Sequence, residues 1–243
     1  AEFIATPALK LVTRFDAMER MWGHVRSTVP LVTAPDVDSY GTRAENENIA
    51  FDYAYVWYAS KIGIFEVGIM EDGVWGTQFG DNSEPEGKIK YTFIKMPFIA
   101  GLQIVKLNEF SDNAVNASVY SDRDVDKYQG FFIFNWKGGQ AGLLGIFINN
   151  RSLKPNFWPA VASSYTQQVF GAQPYVKAKF GPVAVEAEAW YLTGKVMKWQ
   201  DEVPAIVLND IDLSAWSVYV NAVADFNMFY FGGTFAYLSG DDP

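Results

Sequence analysis

The sequence predicts an all-β fold, an antiparallel up-and-down barrel of the transmembrane kind. Apolar and polar residues alternate along eleven segments, near 9–18, 49–60, 64–70, 88–95, 98–107, 127–136, 140–148, 167–180, 183–192, 213–224 and 228–238. The joints between them alternate as well. Lys61-Ile62-Gly63, Met96-Pro97, Lys137-Gly138-Gly139, Gly181-Pro182 and Asp225-Phe226-Asn227 are short, whereas 19–48, 71–87, 108–126, 149–166 and 193–212 are long and polar. A soluble sheet has no reason to keep its tight turns at one end and its long loops at the other. A transmembrane barrel does, with short periplasmic turns and long extracellular loops. No stretch reaches the ~20 unbroken apolar residues of a membrane-spanning helix.

Successive side chains of a strand point to opposite faces, so parity assigns sides. In 49–60, Ile49, Phe51, Tyr53, Tyr55, Trp57 and Ala59 share one face, opposite Asp52, Tyr58 and Ser60. In the next two segments Phe65, Val67 and Ile69 oppose Glu66, and Ile89, Tyr91 and Phe93 oppose Lys88 and Lys90. Tyr128, Phe132, Phe134 and Trp136 oppose Gln129 and Asn135, while 140–148 is apolar on both faces and has no clear parity. Phe170, Val176 and Phe180 oppose Gln173, Lys177 and Lys179, and Val183, Val185 and Tyr191 oppose Glu186 and Glu188. In the last two, Trp216, Val218 and Val220 oppose Asn221, and Phe229, Phe231 and Phe235 oppose Thr234. One face is aromatic and aliphatic and the other polar. The expectation is that Phe51, Tyr53, Trp57, Phe132, Phe134, Phe229 and Phe231 point outward.

The chain of 243 residues shows no linker or composition shift, which predicts a single domain over 1–243. Eleven antiparallel strands leave the first and last parallel, and single-chain bacterial barrels have even strand numbers. The ending Ser239-Gly240-Asp241-Asp242-Pro243 reads as the opening of another long loop. An incomplete part of a larger even-stranded barrel is therefore expected.

The net charge of −9 argues against nucleic acid, which needs clustered Lys and Arg. With no cysteine, disulfides and thiolate chemistry are excluded. Mean hydropathy near zero is what alternating strands produce.

Two stretches carry a resemblance. Leu9-Lys10-Leu11-Val12-Thr13-Arg14-Phe15-Asp16-Ala17-Met18-Glu19-Arg20-Met21-Trp22-Gly23 resembles the opening strand of deltaproteobacterial porin-like barrels, and Tyr237-Leu238-Ser239-Gly240-Asp241-Asp242 is similar to a strand-to-loop segment of alginate-export-type barrels. The resemblance implies a Gram-negative outer-membrane diffusion or export channel, and it carries no binding site over by position.

Little in the sequence points to catalysis. The one histidine, His24, lies in a long loop, and a lone loop His is more simply solvated than catalytic. Asp122, Asp124 and Asp126 start a calcium-loop spacing, but Lys127 and Ile133 stand where Gly and Glu are required. Glu186 and Glu188 fit a cross-strand ladder better than a glycosidase pair, with the Gly181-Pro182 turn placing Lys177 opposite Glu186. The loops are acidic at Asp36, Asp38, Glu45, Glu47, Glu71, Asp72, Asp81, Glu84, Glu86, Asp201, Glu202, Asp210 and Asp212, which would favour cations at the rim.

The functional expectation is a non-enzymatic porin without cofactor or metal, passing small hydrophilic solutes or ions across the outer-membrane lipid. Arg14, Asp52, Glu66, Lys88, Lys90, Gln103, Gln129, Asn135, Gln173, Lys177, Lys179, Glu186 and Glu188 would line its pore. Two alternatives stand beside it. One is a sheath around a multihaem cytochrome partner or an exported polymer; the other is a soluble β-sandwich binding protein. A homo-oligomer is compatible with the first reading.

Overall fold

The structure, a computed structural model, describes residues 1–17, 49–80, 85–109, 123–153, 165–199 and 209–240. Its strands are β1 (Glu2–Thr6), β2 (Leu9–Ala17), β3 (Ile49–Ser60), β4 (Gly63–Met70), β5 (Glu86–Lys95), β6 (Phe98–Asn108), β7 (Val125–Trp136), β8 (Gly139–Asn150), β9 (Tyr165–Phe180), β10 (Val183–Trp199), β11 (Ile211–Asp225) and β12 (Tyr230–Leu238). They form one antiparallel sheet in chain order, and β1 and β12 are its two edges. The fold is thus all-β and up-and-down, as the alternation predicts, and the sheet is not closed. The described residues form twelve strands, one more than expected. The additional one, β1, is five residues long and turns at Pro7-Ala8 into β2, too short for its alternation to be read. The open sheet is consistent with the expected incomplete barrel.

Contacts divide the chain into two compact units, 1–73 with 82–93, and 74–81 with 94–243. In the second unit the short turns sit side by side. Pro97 O accepts from Asn135 N, Gly138 O from Lys179 N, and Pro182 O from Asp225 N, at 2.7–2.9 Å. The last turn is longer than expected, running from Phe226 to Phe229, so Phe229 belongs to the turn and not to β12. Asn227 adopts φ 68° there, and Asp225 Oδ1 accepts from its N–H at 2.9 Å.

Register resolves the two faces. Directly opposed residues share a face, and in the second unit Gln103, Gln129, Ile146 and Gly171 form one such row, with Phe131, Leu144, Gln173 and Trp190 in the next. This settles β8: Gly142, Leu144 and Ile146 belong to the polar face and Leu143 to the other. On the opposite face Phe132, Leu143, Pro174, Ala189, Val218 and Tyr237 continue one row across seven strands from Ala100.

Burial on these faces is inverted relative to a soluble protein. The apolar face is open, with Leu102 66 % and Phe235 61 % exposed, whereas Gln173 and Glu188 on the polar face are 1 % and 2 % exposed. Phe132, Phe134 and Phe231 lie on the exposed apolar face as expected, and Phe51 and Phe229 are exposed too.

In the first unit parity fails for Tyr53 and Trp57. Arg14 opposes Tyr53 but Phe15 opposes Phe51, so β3 carries one extra residue, a bulge at Asp52. The bulge reverses the parity read from Phe51. Tyr53, Tyr55 and Trp57 fall on the polar face with Arg14, Val12 and Lys10, and Trp57 opposes Glu66 on the other side. Val56 and Tyr58 take the exposed apolar face instead.

Candidate functional site, a polar wall and the strap that covers it

In the first unit the polar face is a set of paired charges. Arg14 Nε lies 2.8 Å from Asp52 Oδ2, and its guanidinium sits 5.2 Å from the centre of the Tyr53 ring while Nη1 donates to Tyr53 Oη at 3.2 Å. The bulge makes this cluster, because it turns Asp52 and Tyr53 to the same side. Lys10 Nζ lies 5.0 Å from the Trp57 ring and 3.4 Å from Glu2 Oε2. Lys90 and Glu66 are register partners, 3.6 Å apart. The ammonium of Lys88 is buried between Asp72 and Glu86 Oε2, the latter at 3.5 Å. Burying an ammonium is costly unless it is paired. Asp72 thus ties the start of the 71–80 segment to β5.

The second unit contains a feature that the sequence reading placed in an extracellular loop. Residues 74–80, Val-Trp-Gly-Thr-Gln-Phe-Gly, fold back as a strap over the polar face. Trp75 packs edge-on against Tyr175 (5.0 Å between centroids, 86°) and Phe131 (6.1 Å), and its Nε1 donates to Gln173 O at 3.2 Å. Phe79 stacks on Tyr219 at 5.1 Å and 12°. Between the rings, Thr77 donates both its backbone N–H (2.6 Å) and its hydroxyl (2.8 Å) to Glu188 Oε2. The other oxygen, Oε1, accepts from Gln173 Nε2 (2.6 Å) and Trp190 Nε1 (2.9 Å). Gly76 permits this approach: its φ is +61°, and a Cβ there would lie 2.5 Å from Glu188 Oε2.

Of the thirteen residues expected to line a pore, register puts twelve on the polar faces of the two units, and Asp52, the unpaired bulge residue, reaches that side through Arg14. Lys177 opposes Glu186 as predicted, and Glu186 also opposes Asn221. Glu188 departs from the ladder: its register partners are Tyr175 and Tyr219, and Lys179 opposes Ala184. Its charge is met by neutral donors. Beside it Tyr175 Oη donates to Gln140 Oε1 (2.6 Å), Gln140 Nε2 to Asn135 Oδ1 (2.8 Å), and Asn135 Nδ2 to Pro97 O (3.2 Å). Gln103 donates to Gln129 in the same way.

The carboxylates of the calcium-like stretch hold a lysine. Lys106 Nζ, from β6, lies 2.8 Å from Asp124 and 2.7 Å from Asp126, so one ammonium is shared between the two carboxylates. At the β10–β11 connection Lys195 Nζ lies 3.0 Å from Asp210 and 3.1 Å from Asp212. Hydrogen bonds from Lys195 and from Trp199 N–H hold the Asp210 carboxyl below its ordinary value. His24, Asp36, Asp38, Glu45, Glu47, Asp81, Glu84, Asp122, Asp201 and Glu202 lie outside the described residues.

Trp75, Thr77, Phe79, Tyr175 and Gln140 were not singled out from sequence, and Trp190 and Tyr219 were legible only as polar-face positions by parity. The available signal was two aromatic residues, Trp75 and Phe79, within an otherwise acidic connection, where a solvated loop gains nothing from them. No protein-family model matches the chain, and no curated protein matches it.

Proposed function

We propose that the chain is a channel of the bacterial outer membrane, a porin that carries small hydrophilic solutes or ions along its polar face, without an enzymatic step. The observation that supports this reading is the inverted burial combined with the height of the exposed apolar band. Along β9 the apolar-face residues are Phe170, Ala172, Pro174, Val176, Ala178 and Phe180. The ten steps from Phe170 to Phe180, at about 3.4 Å each and tilted about 45°, rise about 24 Å, against the roughly 25 Å apolar band of outer-membrane barrels. An aromatic row bounds the band at the long-connection end, where Phe147 stacks on Tyr128 (6.0 Å) and on Phe170 (4.5 Å). One row further out the same face turns polar, as Lys106, Asp126, Asn149, Gln168, Lys195 and Asp212 oppose one another in sequence. Water, aromatic and apolar zones in that order suit a membrane interface. The face of a soluble sandwich would have to be covered by protein.

The test is single-channel recording of the purified, folded protein in a planar bilayer. Stepwise conductance is expected. Folded protein that inserts without conducting would overturn the channel and leave the sheath reading, and protein that stays soluble without detergent would overturn both.

A further inference from the structure

We propose that the wall beneath the strap, centred on Glu188, binds an amine-bearing organic cation, and that Thr77 and Phe79 occupy this site as an internal stand-in. Glu188 is a buried carboxylate whose hydrogen-bond partners among the described residues are all neutral. A buried carboxylate attracts a cation strongly in a low-dielectric site, provided that its remaining lone pairs stay hydrogen-bonded. Its surroundings favour one as well, since Tyr175 and Tyr219 flank it on the two adjacent strands and Trp190 lies two residues along the same face. Aromatic faces around a carboxylate attract an ammonium through their quadrupoles. The strap shows which atoms fit. The N–H and hydroxyl of Thr77 supply the two donors that an ammonium would direct at Oε2, and the Phe79 ring supplies a flat body stacked on Tyr219. A compact amine carrying a ring one or two bonds from nitrogen reproduces both. The strap is held to the wall by non-covalent contacts, and Gly73 (φ 81°) and Gly76 (φ 61°) lie on either side of Trp75.

The transport meaning of this site rests on the channel reading, but binding does not, so it is measured by calorimetry on the whole protein in detergent. The probe is benzylamine, with benzyl alcohol as its uncharged counterpart. Trp75→Ala with Phe79→Ala loosens the strap, and Gly76→Ala expels it by collision with Glu188 while keeping every ring. A covered site binds weakly in proportion to the fraction of time it is open, so either change should tighten benzylamine about tenfold. Benzyl alcohol should bind at least about tenfold more weakly than the amine, and Glu188→Gln on the loosened background should abolish that preference. Equal binding of alcohol and amine, or no amine binding by either strap variant while the protein remains folded by circular dichroism, overturns the site. Conductance without amine binding rejects this site alone, and amine binding without conductance rejects the channel alone.

Discussion

At the scale of single residues, Glu188 gathers four donors from the strap and from two strands of the second unit. Its four donors include a backbone N–H and an indole N–H that have been drawn out of water to meet it. Glu188→Ala would strand them, and each buried donor left unmet costs about 1–3 kcal/mol. Urea unfolding in detergent should therefore show a loss of at least about 2 kcal/mol, with a smaller loss for Glu188→Gln, which keeps an acceptor oxygen. Gly76→Ala is expected to cost about 1–2 kcal/mol through its positive φ alone, in addition to displacing the strap. Near-ultraviolet circular dichroism reports the displacement, because Phe79 would leave Tyr219 and Trp75 would leave Tyr175. In the first unit Lys88 should be as sensitive. Asp72→Asn and Glu86→Gln together leave its buried ammonium without a counter-charge, a situation that costs about 3–5 kcal/mol.

At the scale of strands, the register locates the centre of the apolar band and so grades the substitutions within it. Ala189 opposes Val218 and lies in the row of Pro174, whereas Val185 opposes Ala178, one row from the Phe180 border. Ala189→Lys is expected to cost about 2–4 kcal/mol in refolding into lipid, and Val185→Lys distinctly less, because the penalty falls toward the interface. Equal penalties would show that depth in a bilayer is not what the rows encode. The strands themselves were largely legible in the sequence, since alternation is set residue by residue. What escaped was whatever breaks a period of two. The single extra residue at Asp52 turned Tyr53 and Trp57 to the other face, and no side chain near it announces the bulge. Five-residue β1 offers too few positions to alternate. The strap has no period, and its Trp75 and Phe79 acquire meaning only beside Tyr175 and Tyr219, about a hundred residues or more away in the chain. Short-range pattern identified the polar wall but not what lies on it.

At the scale of the whole molecule, the net charge of −9 and the acidic connections favour cations near the mouth of a channel, most strongly at low salt. Glu186→Lys faces Lys177 with a like charge and reverses one lumenal carboxylate on that reading. Reversal potentials under a salt gradient should shift toward anions, more so in dilute electrolyte. A shift that ignores ionic strength would place Glu186 away from the conducting path.

If the proposed channel reading holds, the polar row that includes Gln168 and Lys195 also implies a preference among membranes. A hydrocarbon layer of about 30 Å, typical of most bilayers, would reach past an apolar band of about 24 Å and press lipid tails against those side chains and their paired carboxylates. In such a membrane the bilayer would have to thin around the protein or the flanking lysines would have to snorkel outward, and thinning is opposed by a fraction of a kcal/mol per ångström. The molecule should consequently fold fastest and most completely in lipids with ten- or twelve-carbon chains, and lag in eighteen-carbon ones. In a cell with membranes of several thicknesses, that row of lysines and aspartates would act as a gauge, settling the protein in the thinnest.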